Sequence, residues 1–361
     1  MQQIDLKNKT VFVTGSAGFI GSNLVMELLK TQSPIHIIAL DNMNAYYDVS
    51  IKEWRLNEIE KCLANHPDCS YKFYKGDLAD KTLIDNIFNT HKPSVVVNLA
   101  AQAGVRYSIS NPDAYIQSNL IGFYNILEAC RHSYDNKETG VEHLVYASSS
   151  SVYGTNKKIP YSTDDKVDNP VSLYAATKKS NELMAHAYSK LYNIPSTGLR
   201  FFTVYGPAGR PDMAYFSFTN KLIKNQTIQI FNYGNCKRDF TYVDDIVEGV
   251  KRVMQKAPEK KIGEDGLPLP PYAVYNIGNN KPENLLDFVT ILQEELIKAK
   301  VLPEDYDFES HKELVPMQPG DVPITYADTT ALERDFGFKP STTLREGLRR
   351  FASWYKEFYK V

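Results

Sequence analysis

The stretch T-G-S-A-G-F-I-G, residues 14–21, decides the fold. It places Gly15, Gly18 and Gly21 at G-x-x-G-x-x-G spacing, between an apolar β-branched run at 10–14 and a helical pattern of leucines. Glycine at these positions lets a tight turn form and lets the backbone approach a pyrophosphate, and the next helix offers free N–H groups. Because the same spacing also occurs in turns that only allow close packing, the surrounding residues must decide between the two interpretations.

The second predicted strand, 35–40, ends at Asp41, twenty residues after Gly21. A carboxylate at the end of that strand accepts a hydrogen bond from the ribose 2′-hydroxyl and repels a 2′-phosphate. Strand, glycine turn, helix, strand and acidic residue therefore follow in the order of a dinucleotide site, and we predict NAD rather than NADP.

Strands and helices alternate through the first 200 residues. The predicted strands are 10–14, 35–40, 71–75, 94–100, 143–148 and 197–202, and the clearest helices are 81–90, 113–132 and 172–192. This alternation predicts βαβ units and a mainly parallel sheet that is covered on both faces. The expected fold class is α/β, a Rossmann-type doubly wound parallel sheet with a smaller C-terminal α/β substrate-binding lobe.

The pattern loosens after about residue 205, where glycine, proline and aromatic residues increase. A surface loop is expected at 258–272, followed by a strand at 272–278 that returns to the sheet. We predict an NAD-binding Rossmann domain at 1–204, with returning segments near 236–256 and 272–279. Residues 205–361 mainly form the substrate lobe, interleaved with the first domain.

Composition excludes several other classes of protein. The 361 residues carry a formal net charge of −2, with no basic bias toward nucleic acid or an anionic membrane. No apolar run approaches the roughly 20 residues of a membrane span, and the N-terminus does not resemble a signal peptide. The four cysteines form no C-x-x-C pair. We therefore expect a cytoplasmic protein without a metal site or disulfide framework.

Two further features follow predicted strands of the sheet. Asp77 is a candidate for the adenine edge of a dinucleotide, and because L-A-D-K follows it could also be a helix N-cap, so that both roles could hold. The small residues of N-L-A-A-Q-A-G, 98–104, would let a flat cofactor lie close, or would allow tight packing of helix on sheet. The residues leave both alternatives open.

Four hydroxyls end the fifth strand, in A-S-S-S-S-V-Y-G at 147–154. The carboxyl ends of parallel strands face the ligand crevice of doubly wound sheets, although serine is also common in turns. In S-L-Y-A-A-T-K-K-S, 172–180, Tyr174 and Lys178 are four residues apart and share one helical face. A free tyrosine has a pKa near 10, and an adjacent ammonium with an oxidised nicotinamide would favour the phenolate. A serine hydroxyl could bridge this phenol and a substrate oxygen.

Together these motifs resemble the extended short-chain dehydrogenase/reductase family, over essentially the whole chain. The matching stretches are T-G-S-A-G-F-I-G, L-D-N-M-N, S-S-S-S-V-Y-G, Y-A-A-T-K and R-F-F-T-V-Y-G-P. Further stretches, including D-N-M-N-A-Y-Y-D, G-P-A-G-R-P-D-M-A and M-Q-P-G-D-V-P, resemble its sugar-nucleotide epimerase branch, and most of all the UDP-glucuronate 4-epimerases.

The resemblance implies a role for each matching residue. Tyr174 would be the base, Lys178 its electrostatic partner, and Ser149 and Ser151 the hydroxyl bridge. NAD would stay tightly bound and be regenerated in each turnover. The implied cofactor-binding residues are Gly15, Ala17, Gly18, Phe19, Ile20, Gly21, Asp41, Asn42, Asn44, Asp77, Leu78, Leu99, Ala100, Ala101, Ala103, Asn119, Ser149, Tyr174, Lys178 and Phe201. The implied substrate-binding residues are Arg106, Ser149, Ser150, Ser151, Tyr174, Thr203, Arg210, Arg238 and Asp321.

The implied reaction oxidises C4 of a UDP-sugar, rotates the 4-keto sugar and returns the hydride to its other face. Related dehydratases carry an Asp-Glu pair just before V-Y-G, and related decarboxylases usually carry glutamate there. This chain has Ser150 and Ser151. Elimination then lacks its proton carriers, so the resemblance favours epimerisation of UDP-glucuronate to UDP-galacturonate, with surface polysaccharide as a hypothetical destination.

A 4-keto uronate is a β-keto acid that loses CO₂ readily, so the site should hold the carboxylate in an unproductive orientation. Thr203 is the candidate, standing where galactose epimerases usually carry asparagine. Arg106 and Arg210 could contribute charge, or could contact a phosphate or form surface ion pairs.

The remaining implied contacts concern the nucleotide half of the substrate. Arg238 and Asp321 match positions at the UDP phosphates and the sugar or ribose. Gln318 stands where the galactose-epimerase pattern has arginine, so another residue, such as Arg210, would have to meet that phosphate charge. Phe218 and Tyr233 could stack on uracil, although core packing explains them as well.

Three functions therefore remain in competition. The first is the uronate 4-epimerase, the second a 4-epimerase of neutral UDP-sugars such as UDP-glucose or UDP-N-acetylglucosamine, and the third a non-catalytic NAD-binding regulator. The resemblance also implies a homodimer formed through helices 113–132 and 172–192.

Overall fold

The structure, a computed structural model, describes residues 1–135, 140–317 and 323–361. Its strands are β1 (Gln2–Gln3), β2 (Thr10–Thr14), β3 (His36–Asp41), β4 (Ser70–Lys75), β5 (Val95–Asn98), β6 (His143–Ser149), β7 (Ser196–Phe201), β8 (Thr203–Tyr205), β9 (Ile228–Ile230), β10 (Lys237–Tyr242), β11 (Lys256–Ala257), β12 (Lys261–Ile262), β13 (Pro268–Leu269), β14 (Tyr272–Ile277), β15 (Pro282–Asn284), β16 (Lys312–Leu314) and β17 (Ile324–Thr325). Its α-helices are α1 (Phe19–Thr31), α2 (Val49–Ala64), α3 (Lys81–His91), α4 (Tyr107–Ser110), α5 (Pro112–Tyr115), α6 (Gly122–His132), α7 (Leu173–Tyr192), α8 (Ala214–Ile223), α9 (Val243–Met254), α10 (Leu285–Lys298), α11 (Thr330–Phe336) and α12 (Leu344–Tyr359). A π-helical turn spans Ile116–Ile121, and 3₁₀ turns span Ser150–Tyr153 and Phe231–Gly234.

A seven-stranded parallel sheet forms the centre, in the order β14-β7-β6-β5-β2-β3-β4. Val11 and Val13 point to one face and Phe12 to the other, and all three are fully buried. Helices α1, α2 and α9 cover the first face, and α3, α6 and α7 cover the second. The predicted doubly wound α/β fold is confirmed.

A smaller sheet belongs to the C-terminal part of the chain. Strand β10 lies at its centre, antiparallel to β15 and parallel to both β17 and β8. Helix α9 follows β10 directly and packs on α1, while β14 adds the edge strand of the large sheet beside β7. The chain thus passes between the two sheets more than once, and the carboxyl end of the large sheet lies where the sheets meet.

Helix α2 has no counterpart among the elements expected from the sequence. Asp48 caps it by accepting a hydrogen bond from the Ser50 backbone N–H at 2.9 Å. The helix buries two cationic side chains, Lys52 and Arg55, along with Ile51 and Ile59. Because charged residues occupy part of its inner face, the apolar stripe that marks most surface helices is weak here.

Two other regions differ in detail from expectation. The helix expected at 113–132 is divided into α5, the π-helical turn and α6, and the loop expected at 258–272 contains the short antiparallel pair β12–β13. Within the described residues, no helix is long and apolar enough to cross a bilayer, and no three His, Cys, Asp or Glu side chains are grouped to hold a metal. All four cysteines are free thiols.

Candidate active site

The glycine turn joins β2 to α1 at the carboxyl end of the large sheet. Gly15 has a φ of +69°, a conformation that side chains disfavour, and a Cβ there would lie 2.8 Å from the backbone nitrogen of Ala100. A Cβ on Gly21 would overlap the Gly15 carbonyl. Gly18 is the N-cap of α1, and no described side chain caps that helix start. The N–H groups of residues 15–18 already donate within the protein. The first N–H groups of α1, which begins at Phe19, are therefore the ones that could bind an anion, as a pyrophosphate site requires.

Asp41 ends β3 beside this turn and is almost fully buried. Its Oδ2 accepts a hydrogen bond from the Ala17 N–H at 3.2 Å, and its Oδ1 accepts one from the Met43 N–H at 2.8 Å. Lys52 Nζ lies 3.2 Å from Asp41 Oδ1 and 3.3 Å from Asn44 Oδ1. Two backbone amides and the buried Lys52 hold this carboxylate at the cavity. The sequence did not indicate that Lys52 takes part.

Asp77 follows β4 and lines the same cavity. Its Oδ2 accepts a hydrogen bond from Asn42 Nδ2 at 2.9 Å, and its Oδ1 accepts one from the Ala79 N–H at 2.9 Å. The cap of α3 is Asp80, which accepts from the Leu83 N–H at 3.0 Å. The N-cap interpretation of Asp77 is therefore wrong, and its role at the adenine edge stays a prediction.

Asn119 lies on the π-helical turn and does not line the cavity. Its Oδ1 accepts from the Gln102 N–H at 2.8 Å, and its Nδ2 donates to the Gln102 carbonyl and to Thr177 Oγ1, both at 3.0 Å. Its own carbonyl accepts from Asn181 Nδ2 at 2.6 Å. Asn119 thus joins the small-residue segment after β5 to α7, at a π-helical widening of the kind often found at functional sites.

The four serines at the end of β6 differ in position and in hydrogen-bond partner. Ser149 lines the cavity and accepts a hydrogen bond from the Ser151 N–H at 3.2 Å. Ser148 also lines the cavity, but its hydroxyl donates to Glu182 Oε1 at 2.7 Å. Ser150 and Ser151 continue into the 3₁₀ turn and are not among the residues that line the cavity.

Tyr174 and Lys178 both line this cavity, one helical turn apart on α7. Burial raises the pKa of Tyr174, whereas a hydrogen bond from Ser149 and the charge of Arg210 act to lower it. Lys178 Nζ donates to the Ala147 carbonyl at 2.8 Å, and burial lowers the pKa of Lys178 to about 7. Phenol, serine hydroxyl and amine are therefore collected at one point beside the glycine turn.

The depressed pKa of Lys178 predicts a pH dependence of stability. An unfolded lysine has a pKa near 10.4, so between pH 7 and that value the unfolded chain holds more protons than the folded one. The free energy of unfolding should then rise with pH, by roughly 2–3 kcal/mol between pH 7 and 9.5. Urea unfolding at several pH values, on wild type and Lys178→Met, measures this rise.

Lys178→Met should lack that rise. The difference between the two proteins isolates Lys178, because the buried thiol of Cys130, whose pKa burial raises, contributes equally to both. Parallel stability curves for the two proteins would contradict a depressed Lys178 pKa.

Arg210 is the arginine that the structure brings to the cavity. Its Nε donates to Asp212 Oδ1 at 3.1 Å and its Nη2 to Asp212 Oδ2 at 2.6 Å, while Tyr46 donates its hydroxyl to the same Oδ2 at 3.2 Å. This geometry occupies one edge of the guanidinium. Arg210 lines the cavity together with Tyr174, and its charge acts to lower the pKa of Tyr174.

The other predicted substrate residues lie farther out. Arg106 is exposed and stands over the Phe231 ring, 5.4 Å from its centroid. Thr203 is half-buried in β8, opposite Phe240 of β10. Arg238 Nη1 donates to the carbonyls of Lys237 and Pro323. None of the three is among the residues lining the cavity.

Four weaker expectations concern the C-terminal lobe. Asp321 and Gln318 lie outside the described residues. Phe218 packs against the hydrophobic core, whereas Tyr233 is exposed on a 3₁₀ turn. Neither aromatic lines the cavity, and the core explanation fits Phe218.

Most of the predicted cofactor residues line one cavity. They are Gly15, Gly18, Phe19, Ile20, Gly21, Asp41, Asn42, Asn44, Asp77, Leu78, Leu99, Ala100, Ala101, Ala103, Ser149, Tyr174, Lys178 and Phe201. Ala17 and Asn119 support this lining from behind. The lining residues that sequence reasoning missed include Tyr46, Tyr47, Lys52, Gln102 and Met213. Of these, the Y-Y pair was visible within D-N-M-N-A-Y-Y-D, but no spacing rule pointed to Lys52.

Fold and site together define a dinucleotide-binding protein of the short-chain dehydrogenase/reductase class, because a glycine turn and a Ser-Tyr-Lys group share one cavity at the carboxyl end of a doubly wound sheet. The model of the family described as GDP-mannose 4,6 dehydratase matches residues 12–351. The chain belongs to this family, and the resemblance predicted from its motifs is confirmed.

Individual relatives cover nearly the whole chain. Protein CapI of Staphylococcus aureus is 51% identical over 356 residues, which are 97% of this chain and 99% of that protein. UDP-glucuronate 4-epimerase 4 of Arabidopsis thaliana is 44% identical over 357 residues, covering 97% of this chain and 76% of the relative. A crystal structure of UDP-glucuronic acid 4-epimerase from Bacillus cereus, in complex with UDP-glucuronic acid and NAD, is similar with a TM-score of 0.80. That protein is 29% identical, and the match covers 97% of this chain and 100% of that one.

Proposed function

We propose that this protein is an NAD-dependent 4-epimerase of a UDP-sugar, and that it converts UDP-glucuronate to UDP-galacturonate through a 4-keto sugar that rotates before hydride returns. One observation carries the proposal: Ser149, Tyr174 and Lys178 line the same cavity as the glycine turn. A binding module would need the turn alone.

The residues present fit NAD. A Cβ at Gly15, Gly18 or Gly21 would meet backbone atoms, and the first N–H groups of α1 are left for a pyrophosphate. Asp41 would accept from the ribose 2′-hydroxyl, and Asp77, which follows the neighbouring strand β4, would face the adenine end. When bound, NAD supplies a reversible acceptor for the C4 hydride. The NAD in the Bacillus cereus complex supports the same assignment here.

The chain's own groups handle the proton at the sugar 4-hydroxyl. Tyr174 Oη is the base that takes this proton and later gives one back, and Ser149 Oγ binds both the phenol and the sugar oxygen. Lys178, whose Nζ donates to the Ala147 carbonyl, lies one helical turn from Tyr174 and lines the same cavity, where it would be the electrostatic partner of the phenol.

Serine at 150 and 151 favours epimerisation over elimination of water. Among the described residues, the carboxylates that line the cavity are Asp41, at the end of β3, and Asp77, after β4, which are three and four strands away from β6 and its serines in the sheet order. Neither is placed beside Tyr174 to serve as the second proton carrier of a dehydratase. Although the family description names a dehydratase, return of the hydride is therefore the proposed outcome.

The uronate assignment rests on Arg210 and on the relatives. A guanidinium within the cavity can hold a carboxylate through two parallel hydrogen bonds, and Thr203 could add a hydroxyl at the strand end. The Arabidopsis and Bacillus relatives are both called 4-epimerases of the glucuronate. One observation favours a neutral sugar instead: Asp212 already balances the Arg210 charge, so a substrate carboxylate is not needed to neutralise it.

Incubation of the purified protein with UDP-glucuronate, UDP-glucose and UDP-N-acetylglucosamine in separate reactions tests the proposal, with the epimers resolved by chromatography. Formation of UDP-galacturonate from the uronate alone supports it. Epimer from the neutral sugars alone supports the neutral-sugar enzyme, and no epimer from any of them supports the NAD-binding regulator.

We also propose that the protein forms a homodimer through the π-helical turn, α6 and α7. Ile121, Tyr124 and Leu183 expose large apolar side chains on these neighbouring segments. A second copy would bury them in a four-helix bundle.

Free thiols at all four cysteines fit the reducing cytoplasm expected for the protein.

Light scattering after size exclusion should give twice the chain mass for wild type. Leu183→Glu should shift the protein toward monomer, because it places a charge in the apolar contact. Ile262→Glu, at an even more exposed site on β12, should leave the dimer unchanged. A monomeric wild type would contradict the proposed interface.

A further inference from the structure

Arg55 is a buried cation that the reaction described above does not use. It lies on α2, only 1% of it is exposed, and it has no acidic partner among the described residues. Burying a guanidinium without a carboxylate is costly unless other groups satisfy its donors. The hydrogen-bond partners of the Arg55 side chain therefore bear on why an arginine is buried at this position.

The Arg55 guanidinium joins two loops that are far apart in sequence. Nη1 donates to the Ala17 carbonyl at 2.9 Å, within the glycine turn. Nε and Nη2 donate to the Ala208 carbonyl at 3.0 and 2.6 Å, and Nη2 also donates to the Gly209 carbonyl at 3.1 Å. Nη1 further donates to the Tyr47 hydroxyl at 2.7 Å, and Tyr47 lines the cavity.

These contacts involve both the cofactor side of the proposed site, at the glycine turn, and the substrate side, at Arg210. Ala17 is the residue whose N–H bonds to Asp41, so its peptide fixes the turn that would hold a pyrophosphate. Gly209 directly precedes Arg210, and Ala208 has a φ of +49°, a conformation that external contacts must maintain. One planar side chain thus fixes the segment that carries Arg210 against the cofactor turn.

The chemistry of arginine matters for this arrangement. A lysine at 55 would keep the charge, but one ammonium cannot match a rigid fork that reaches two carbonyls of one loop and one of another. A buried positive charge behind an anion-binding turn also adds a fixed attraction for a pyrophosphate, which no acidic side chain cancels at this position.

We propose that Arg55 is a positioning residue that joins the glycine turn and segment 206–210 into one unit, so that cofactor retention and the placement of Arg210 both depend on it. This inference rests on the proposed function for the identity of the sugar. It does not rest on that function for the link between the two loops.

A double-mutant cycle tests the link. In a Tyr174→Phe background, in which turnover should be about 10³-fold slower, calorimetry measures UDP-glucuronate affinity for the NAD-loaded protein with Arg55→Lys, Arg210→Lys and both. Each single change should weaken binding about tenfold, and the double variant should be at most about threefold weaker than the weaker single variant, because both disturb the same contact. In the active enzyme, Arg55→Lys should raise KM about tenfold while kcat changes less than about threefold.

The control is Arg349→Lys, an exposed arginine on α12, which should change none of these quantities. Affinity losses that multiply in the double variant would overturn the inference. So would a lowered unfolding temperature in Arg55→Lys with unchanged affinity, since that is the result of a structural role alone.

The NAD-to-protein ratio after gel filtration provides a readout that does not depend on the sugar. Arg55→Met should retain less than about half of the wild-type NAD, and wild-type retention would overturn the inference. If the background protein binds UDP-glucose rather than UDP-glucuronate, the uronate assignment fails. Arg55→Lys must then still weaken UDP-glucose binding for the inference to stand.

Discussion

Replacing Tyr174 with phenylalanine should lower kcat by about 10³-fold while the protein keeps its NAD. General acid–base catalysis contributes roughly 10²- to 10⁴-fold, and this variant removes the hydroxyl that we propose takes the proton from the sugar. The ring remains in its pocket, so the packing of α7 against the cavity is preserved. Steady-state turnover of UDP-glucuronate and the NAD content of the purified variant are the two measurements.

Tyr115→Phe is the matched control for Tyr174→Phe. The two rings lie 6.0 Å apart, but the Tyr115 hydroxyl donates to the carbonyls of Ala103 and Gly104 and is not aimed at the sugar. Its loss should cost less than about tenfold in kcat. Full activity in Tyr174→Phe, or an equal loss in both variants, would show that Tyr174 is not the base.

The second large expected effect is on the free energy of unfolding, and it comes from the buried ion pair behind the serine strand end. Arg200 Nε and Nη2 bind the two oxygens of Glu182 at 2.8 and 2.9 Å, and both side chains are almost fully buried. Arg200→Met leaves Glu182 as a buried charge that has lost its main partner, which costs about 3–5 kcal/mol in comparable cases. Urea unfolding should show a loss of that size.

The same change should also lower activity, because Glu182 accepts the Ser148 hydroxyl next to Ser149. Lys179→Met is the matched control: Lys179 contacts Glu182 at 3.2 Å but is partly exposed, so its removal should cost no more than about 1 kcal/mol. If Arg200→Met and Lys179→Met destabilise equally, the buried pair does not hold this strand end as described.

The features predicted correctly from sequence are those set by local spacing. The glycine turn and the single face of Tyr174 and Lys178 require only a strand, a turn and a helix in order, and short-range geometry fixes each of them. The parallel sheet follows from the alternation of apolar strands with helices.

The features missed depend on contacts between distant segments. Helix α2 was not expected because Lys52 and Arg55 interrupt its apolar face, and their partners lie as far as 154 residues along the chain. Arg106 and Arg210 were equal candidates in sequence, and only the fold brings Arg210 into the cavity. The alternative for Asp77 could be settled only once Asp80 was seen to cap α3.

The central claim is that hydride leaves C4 of the sugar and returns to the same carbon. UDP-glucuronate that carries deuterium at C4 tests it directly, with the product analysed by NMR after reaction in ordinary water. The account predicts UDP-galacturonate that retains deuterium at C4, because the hydride never exchanges with solvent. UDP-galacturonate in which hydrogen from water has replaced the deuterium at C4 would contradict the account.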